Sequence, residues 1–342
     1  MKIGILTGGG DCPGLNSVIR AVVRTAINDG NEVIGLRYGW KGLLEKDIIQ
    51  LDLKSVSGIL PRGGTILGTS RTNPYKKENG TKIAKENFKA LGLNALVTIG
   101  GEDTLGVATK LVKDEGLNIV GVPKTIDNDL GATDFTFGFD TAINIVMECI
   151  DRLHTTAESH NRIMVVEVMG RHAGWIAAYA GIAGGADYIL IPEIPIDVNE
   201  ICASIKKRHE RGKNFSIVVV AEGAYFKNEN LCLQEKKLDE FGHVRLGGVG
   251  HTLGGMIEER TKYETRVTVL GHIQRGGSPT AFDRVLGTRF GVKAYELIKG
   301  FQFGRMVSLR GNQIVDVPLE EATVKLKTLD LKLYEIAKIF FG

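Results

Sequence analysis

Eight short apolar runs recur along this chain, and they constrain its fold more than any other feature of the sequence. Within each run the apolar residues follow one another instead of alternating with polar ones, which is typical of strands buried on both faces of a sheet. Helical patterns between the runs supply the crossovers that parallel strands need. The pattern predicts an α/β protein with mostly parallel sheets. The runs are KIGILTG, NEVIGLRYG, NALVTIGG, LNIVGVP, RIMVVEVMG, ADYILIPE, FSIVVVAEG and RVTVLGH.

The length of 342 residues predicts two domains, because one hydrophobic core usually organises about 150 residues. The segment 131–140 is rich in glycine and turn-forming residues, and it marks the expected passage to a second α/β unit. The segment 226–250 is polar and has no clear period. We expect it to be an insertion or a surface excursion.

Composition and charge exclude several classes of protein. Apolar residues make up 43% and charged residues 24% of the chain, as in ordinary globular proteins. A net charge of +3 without a long Lys/Arg block predicts no nucleic-acid partner. The opening MKIGILTGGG has too short an apolar run for a signal peptide or a spanning helix. We therefore expect a cytoplasmic protein with no membrane partner.

The four cysteines are scattered along the chain and form no CxxC pair. This spacing disfavours a zinc site or a disulfide framework. We expect buried thiols, with Cys12 beside a glycine loop as the one candidate for a reactive group.

Glycines or charged residues follow several predicted strands, at the edge where open parallel sheets bind ligands. The first such segment, TGGGDCPGLN, fits neither the dinucleotide fingerprint nor the P-loop, because Pro13 replaces a glycine and Leu15 and Asn16 replace Lys and Ser/Thr. This mismatch removes a nicotinamide dehydrogenase from consideration. A strand, a glycine loop and a helix start remain, which suit either phosphate binding by backbone N–H groups or a tight turn.

Two further segments of this kind suit phosphate and a metal ion. LPRGGTILGTSRTNP adds Arg62 and Arg71, whose planar guanidinium groups match phosphate oxygens. TIGGEDTL sets Glu102 beside Asp103. Adjacent carboxylates repel each other, and Mg²⁺ bound through carboxylate and phosphate oxygens would relieve that repulsion. The alternative is that both acids simply stabilise a helix N-terminus.

The segment VPKTIDNDL, residues 122–130, crowds three carboxylate or carboxamide side chains behind a lysine and a threonine. Such a cluster folds badly unless something binds there, because buried charges need partners. The segment therefore predicts a site for an anionic ligand or for a ligand with a metal ion.

Together these motifs resemble the phosphofructokinase family, almost end to end and in the family's order. The resemblance implies the phosphofructokinase fold of two Rossmann-like domains with fructose 6-phosphate bound between them, and phosphoryl transfer to the sugar's 1-hydroxyl with Mg²⁺. It implies a donor domain of residues 1–138 plus 274–324, a sugar-phosphate domain of 139–273 and a C-terminal helix in 325–342. The matching motifs are GILTGGGDCPGLN, RGGTILGTSR, GGEDT, PKTIDND, MGR, AEG and TRVTVLGHIQRGGSP.

The resemblance assigns the chemistry to a few residues. Asp127 matches the general base, for which a carboxylate suffices because the proton leaves only as the phosphorus bond forms. Arg171 would stabilise charge on the transferring group, and Gly9 and Gly10 would contact it. Glu102 stands at the metal-linked position, where aspartate is commoner in the family. Phosphoryl transfer depends mainly on such positioning and electrostatics.

A second set of residues matches the sugar site. Arg162, Arg266, His272 and Arg275 match the cluster that binds the 6-phosphate. In the family Arg162 and Arg266 come from a neighbouring subunit, which implies a homo-oligomer, dimer or tetramer, with shared active sites. By itself, Arg162 equally suits an exposed strand start. Further contacts or support are expected from Thr125, Ile126, Asp129, Met169, Gly170 and Glu222.

Two positions indicate the phosphoryl donor. ATP-using members usually carry glycine where this chain has Asp103, and many carry glycine in place of Lys124; the pair found here matches the pyrophosphate-dependent branch. Two unit charges about 4 Å apart repel by roughly 4 kcal/mol at an effective dielectric constant of about 20, so Asp103 would oppose a nucleotide's α-phosphate. Lys124 would offset charge on the leaving phosphate. The alternative for Lys124 is a salt bridge to Asp103 or Asp127 without a catalytic role.

Three functions therefore remain to be compared. The first is a reversible pyrophosphate-dependent 6-phosphofructokinase, which would serve both glycolysis and gluconeogenesis. The second is an ATP-dependent 6-phosphofructokinase, since some ATP-using relatives also carry lysine at the position of Lys124. The third is a non-catalytic sugar-phosphate-binding protein on the same fold, which would have no use for Asp127 as a base.

Overall fold

The structure is a computed structural model that describes residues 1–227 and 246–342. It divides into two compact units: Met1–Ile126, Leu130–Thr141 and Arg275–Leu326 form the first, and Asp127–Asp129, Ala142–Gln274 and Lys327–Gly342 form the second. The chain passes between the units after Thr141 and Gln274, and it does so again on both sides of Asp127–Asp129 and before Lys327. Most of the expected insertion at 226–250 lies outside the described residues.

Strands and helices alternate along most of the described chain. In chain order the strands are β1 (Lys2–Thr7), β2 (Glu32–Leu36), β3 (Ile48–Leu51), β4 (Ala95–Gly100), β5 (Ile119–Thr125), β6 (Phe137–Gly138), β7 (Ile163–Val168), β8 (Tyr188–Leu190), β9 (Ser216–Ala221), β10 (Thr265–Val269), β11 (Arg305–Arg310) and β12 (Gln313–Pro318). The helices are α1 (Leu15–Asn28), α2 (Trp40–Glu45), α3 (Gly80–Ala90), α4 (Glu102–Glu115), α5 (Phe139–His160), α6 (Trp175–Ala183), α7 (Val198–Glu210), α8 (Val249–Thr261), α9 (Ala281–Lys299), α10 (Glu321–Val324) and α11 (Leu331–Lys338).

The first unit is built on a sheet with the strand order β12-β11-β5-β4-β1-β2-β3, to which β6 adds beside β5. The central strands β2, β1, β4, β5 and β11 pair in parallel. The edge strands β3 and β12 are antiparallel to their neighbours. Every residue of β4 is buried, as its continuous apolar run predicts.

Helices α1 and α9 pack closely on each other in the first unit. Apolar residues at helical spacing bury one face of α1, among them Val18 and Val22. Gly291 of α9 faces this helix, and a Cβ there would lie 2.6 Å from the Cβ of Ala21. The close approach of the two helices therefore depends on small residues.

The second unit is built on a parallel sheet with the order β10-β7-β9-β8. Strands β7 and β9 are buried along their whole length. Helices α7 and α8 complete a core that includes Val165, Val218, Ile201 and Leu253. Because β7 and β9 are buried along their length, functional side chains have room only at the ends of these strands.

The predicted fold class is confirmed: all eight apolar runs form strands, and the sheets are mostly parallel. The sequence interpretation missed β3 and β6, which are short, and β11 and β12, in which a polar residue interrupts the apolar run. Within residues 1–227 and 246–342, no helix is both long and apolar enough to cross a membrane.

Candidate functional site

The glycine loop of the first unit joins β1 to α1 and lies against the start of α4. Gly8 donates its N–H to the carbonyl of Ile99 at 2.9 Å, and a Cβ on Gly8 would lie 2.5 Å from Oγ1 of Thr104. Gly9 has a φ of 77°, a left-handed conformation that glycine adopts without strain. Its carbonyl accepts a hydrogen bond from Thr69 Oγ1 at 2.5 Å. The backbone of the loop is therefore held from two sides.

Helix α4 begins beside this loop. Its N-cap residue is Gly101, which has no side chain to cap the helix. Glu102 and Asp103 occupy the first helical turn. Glu102 is exposed and Asp103 is half-buried. Carboxylates in a first turn are stabilised by the helix dipole. The position of this acidic pair is therefore compatible with both interpretations: the carboxylates can stabilise the helix, and they can bind a cation.

Lys124 brings a buried positive charge to the same place. Gly100 of β4 pairs with Pro123 of β5, so the two strands end side by side. The Lys124 side chain is 3% exposed, and its Nζ donates a hydrogen bond to the carbonyl of Gly10. A Cβ on Gly9 would lie 3.6 Å from this Nζ. The glycine loop, the acidic turn of α4 and the ammonium group thus meet at one edge of the first sheet.

Arg275 lies on the far side of the glycine loop. Its Nη1 donates to the carbonyl of Asp11 at 3.3 Å, and a Cβ on Gly10 would lie 2.5 Å from that nitrogen. Gly10 is therefore glycine because a guanidinium group passes over it. Burial raises the pKa of the Cys12 thiol to about 12, against the lowering effect of Lys124, so Cys12 stays protonated and is a poor nucleophile.

The second unit carries a three-residue loop, Asp127–Asp129, directly after β5. Its side chains are 4%, 0% and 8% exposed in chain order. Asn128 has a φ of 51°, and its Oδ1 accepts a hydrogen bond from Nζ of Lys327 at 3.1 Å. Two carboxyl groups are therefore buried in one tight turn that the C-terminal segment contacts.

Arg171 follows β7 in the same unit and has its backbone fixed by neighbours. Its φ is 51°, and its N–H donates to Oε1 of Glu222 at 3.1 Å. A Cβ on Gly223 would overlap the Arg171 carbonyl. Met169 donates its N–H to Oε1 of the buried Gln274 at 3.2 Å. The MGR and AEG motifs are thus joined by contacts at the ends of β7 and β9.

Two arginines share one carboxylate at the opposite end of β7 and β10. Nη2 of Arg162 lies 2.9 Å from Oε1 of Glu264, and Nη2 of Arg266 donates to the same oxygen. The hydrogen bond from Arg162 lowers the pKa of Glu264, and the charges of Arg266 and His160 act in the same direction. The cluster keeps a net positive charge, which suits an anion.

The structure divides the expected site residues between the two units. The first unit holds Gly9, Gly10, Glu102, Asp103, Lys124, Thr125, Ile126 and Arg275. The second holds Asp127, Asp129, Arg162, Met169, Gly170, Arg171, Glu222, Arg266 and the exposed His272. Sequence reasoning did not single out Thr104, Trp175 or Lys327. Of these only Thr104 had a signal, because it stands in the GGEDT motif.

The candidate Mg²⁺ site is limited to the acidic turn of α4. In the part of the chain that the structure describes, no three His, Cys, Asp or Glu side chains gather as a metal site. Mg²⁺ in phosphoryl-transfer enzymes is commonly held by one or two carboxylates together with substrate phosphates and water. Glu102 with Asp103 fits such an ion.

Comparison with known proteins shows the family of the chain. The family model described as "Phosphofructokinase" matches residues 2–298. A relative from Streptomyces coelicolor, named pyrophosphate–fructose 6-phosphate 1-phosphotransferase, is 60% identical over 343 residues, and all of both chains is covered. A second protein of that organism, named ATP-dependent 6-phosphofructokinase 3, is 54% identical over 330 residues, with 96% of each chain covered.

The fold is also found among solved structures. The structure of phosphofructokinase from Saccharomyces cerevisiae matches with a TM-score of 0.81 and 34% sequence identity. The match covers 99% of this chain and 46% of the yeast chain, so this chain spans about half of that relative. These matches confirm the resemblance that the motifs carry.

Proposed function

This chain belongs to the phosphofructokinase family, and from that premise we propose that it transfers a phosphoryl group from pyrophosphate to the 1-hydroxyl of fructose 6-phosphate. The products are fructose 1,6-bisphosphate and phosphate, and the reaction runs in both directions with Mg²⁺. One observation carries the choice of donor: Asp103 lies in the first turn of α4, which packs against the glycine loop where the buried ammonium of Lys124 also lies.

The donor proposal rests on charge and space at the end of β5. The Lys124 ammonium is already fixed on a backbone carbonyl, so it needs no rearrangement when charge develops on the leaving phosphate. Lys124 is therefore placed to offset charge on the leaving phosphate, and Asp103 carries most of the discrimination between donors. Asp103 adds a carboxylate where a nucleotide would place a further phosphate, and it opposes ATP by repulsion and by its volume.

The acceptor half of the proposal assigns Asp127 as general base. In the proposed reaction Asp127 accepts the proton of the sugar hydroxyl as the new phosphorus–oxygen bond forms. Arg171 stabilises negative charge on the transferring phosphoryl group, and Glu222 holds the Arg171 backbone. Thr125, Ile126, Met169, Gly170, His272 and Arg275 are proposed to contact the sugar phosphate.

Mg²⁺, when bound with pyrophosphate, neutralises charge on the phosphoryl oxygens. Glu102 is proposed to hold this ion, with Asp103 beside it in the same helical turn. Gly9 and Gly10 leave the loop backbone open to the phosphates.

Arg162 and Arg266 are proposed to bind the sugar 6-phosphate of a neighbouring subunit. Two guanidinium groups on the one carboxylate of Glu264 keep the excess positive charge that this role needs. The protein is therefore proposed to be a homo-oligomer, dimer or tetramer, with shared active sites. We place it in the cytoplasm, where its proposed substrates are metabolised.

A second candidate, an ATP-dependent 6-phosphofructokinase, is favoured by one observation. The relative named for that activity is 54% identical, close to the 60% of the relative named for the pyrophosphate reaction. Overall identity therefore separates the two donors weakly, and Asp103 separates them more sharply.

The deciding experiment measures fructose 1,6-bisphosphate formation from fructose 6-phosphate and Mg²⁺ with either pyrophosphate or ATP. We expect turnover with pyrophosphate alone. Turnover with ATP alone would retain the family and the base but overturn the donor assignment. Absence of turnover with both donors would favour a sugar-phosphate-binding protein.

Substitution of Asp103 tests the cause of the donor choice. Asp103→Gly is expected to lower pyrophosphate turnover and to admit ATP, because it removes both charge and volume. Asp103→Asn keeps the volume and removes the charge, so it separates the two effects. Full pyrophosphate turnover in Asp103→Gly would show that Asp103 does not have the assigned role.

A further inference from the structure

The C-terminal segment Lys327–Gly342 belongs to the same compact unit as the loop Asp127–Asp129, although about 200 residues of chain separate them. Lys327 is the first residue of that segment and contacts the loop twice. Its Nζ donates to Oδ1 of Asn128 at 3.1 Å, and its backbone N–H donates to the carbonyl of Asp129 at 2.8 Å. One residue therefore binds the loop through both its side chain and its backbone.

Lys327 is itself held in place by Trp175 of α6. The indole Nε1 donates to the Lys327 carbonyl at 2.9 Å. The Lys327 Nζ lies 5.2 Å from the centre of the indole ring, within the range of a cation–π interaction. The backbone and the ammonium group of Lys327 are thus oriented by one aromatic side chain.

Glu193 fixes the two chain segments that bring Trp175 and Lys327 together. Its Oε1 accepts hydrogen bonds from the N–H of Gly174 at 2.9 Å and from the N–H of Leu329 at 2.8 Å. Gly174 precedes Trp175, and Leu329 lies two residues after Lys327. Further along, the Tyr334 hydroxyl of α11 donates to the carbonyl of Ile189 at 2.8 Å. The segment is therefore anchored over much of its length.

We propose that Lys327 is a positioning residue that holds the loop Asp127–Asp129 in its reactive conformation. Asn128 lies in the left-handed region, which asparagine adopts more readily than other residues with a side chain but which still needs surrounding contacts to fix the turn. The Lys327 ammonium satisfies the buried Asn128 amide oxygen and places a positive charge beside a loop that buries two carboxyl groups. The consequence for catalysis rests on the proposed role of Asp127.

The test compares Lys327→Met with Lys327→Arg and with Lys325→Met, a matched change at an exposed lysine two residues earlier. Methionine keeps an unbranched side chain on the indole ring but removes the donor. We expect kcat with pyrophosphate to fall about 10- to 100-fold in Lys327→Met, with a smaller change in KM, because a misplaced base slows the chemical step. Lys327→Arg restores part of the activity, and Lys325→Met matches the wild type.

Amide hydrogen exchange over residues 122–130 supplies a readout that does not depend on turnover. In Lys327→Met, exchange in this peptide is expected to rise about 10-fold, the effect of losing one hydrogen bond from a charged donor. Exchange in β7 is expected to stay unchanged.

The outcomes separate the two proposals. Unchanged exchange over 122–130 in Lys327→Met overturns the positioning role, whatever the activity. A wild type that lacks turnover contradicts the proposed function, while the exchange data still decide whether Lys327 orders the loop. If Lys327→Met fails to fold, Trp175→Phe, which removes only the indole donor to the Lys327 carbonyl, is expected to raise the same exchange; no rise there overturns the role.

Discussion

The two functional regions of this molecule are held in different ways. In the first unit, the glycine loop is held through its backbone: the Gly8 N–H donates to a carbonyl, and the carbonyls of Gly9 and Gly10 accept hydrogen bonds from side chains of other segments. In the second unit, the loop Asp127–Asp129 is also held through one of its own side chains, because Lys327 binds both the Asn128 amide oxygen and the Asp129 carbonyl. The difference teaches that a loop held through its backbone makes few demands on its own side chains, whereas a buried polar side chain depends on a matching residue elsewhere in the chain.

The largest effect is expected from Asp127→Asn, in the loop of the second unit. The substitution keeps the shape of the side chain but removes the proton acceptor, so kcat should fall about 10²- to 10⁴-fold. Steady-state kinetics with pyrophosphate measures the change, and Asp151→Asn on the exposed face of α5 serves as the control. A kcat within a few-fold of wild type would show that the base lies elsewhere.

The next effect is expected from Lys124→Met, at the glycine loop of the first unit. Loss of the ammonium on the Gly10 carbonyl should lower kcat about 10²- to 10³-fold, since charge on the leaving phosphate is no longer stabilised. Lys113→Met, at an exposed ion pair with Glu320, is the matched control. If both variants retain wild-type kcat, Lys124 has only a structural role.

Asp283 extends the comparison to a buried side chain inside the first unit. Its buried carboxylate accepts hydrogen bonds from the N–H of Thr141 at 2.8 Å and from Thr141 Oγ1 at 2.5 Å. Burial raises its pKa from 3.8 to about 6, although the Thr141 hydrogen bonds lower it. Because this pKa is raised in the folded state, the protonated Asp283 side chain contributes favourably to the free energy of unfolding. That contribution is complete below pH 3.8 and is lost as pH rises through about 6.

We therefore expect Asp283→Asn to become more stable relative to the wild type as pH rises from about 4 to about 7, by about 3 kcal/mol. Thermal or urea unfolding of both proteins across this range measures the difference. A difference in unfolding free energy that does not vary with pH would mean that Asp283 titrates normally.

The smallest effect, on stability alone, tests the close packing of the glycine loop. Gly8→Ala should cost about 1–3 kcal/mol, because its methyl group meets Thr104. Gly255→Ala in α8 meets no atom within 4 Å and should stabilise by about 0.5–1 kcal/mol. Urea unfolding compares the two variants. The added substitution Thr104→Ala should recover part of the loss in Gly8→Ala; no recovery would place the strain elsewhere.

Much of the fold could be predicted from the sequence because buried parallel strands require continuous apolar runs. The eight strands of this kind were all predicted, whereas β3, β11 and β12 were missed. Strand β12 reads QIVDVP and β3 reads IIQL, short segments with polar residues whose pairing in antiparallel edges depends on neighbours. Local pattern carries little signal for such strands.

For the candidate site, the sequence likewise predicted the residue types, because they stand in recognisable motifs. The roles assigned to Asp127, Lys124, Asp103 and Glu102 stay predictions until the variants are measured. No motif indicated the support by Trp175, Glu193 and Lys327, because the sequence around each residue does not say which distant segment it contacts.

The sequence by itself determined the strands, the glycine loops and the chemical groups that stand at strand ends, because these depend on local backbone conformation and on apolar runs. The tertiary structure alone decided that Asp127–Asp129 packs with the second unit and that the segment from Lys327 holds it. The physical reason is that a buried polar group needs a partner but does not specify from which part of the chain it comes. That choice is made only when the chain folds.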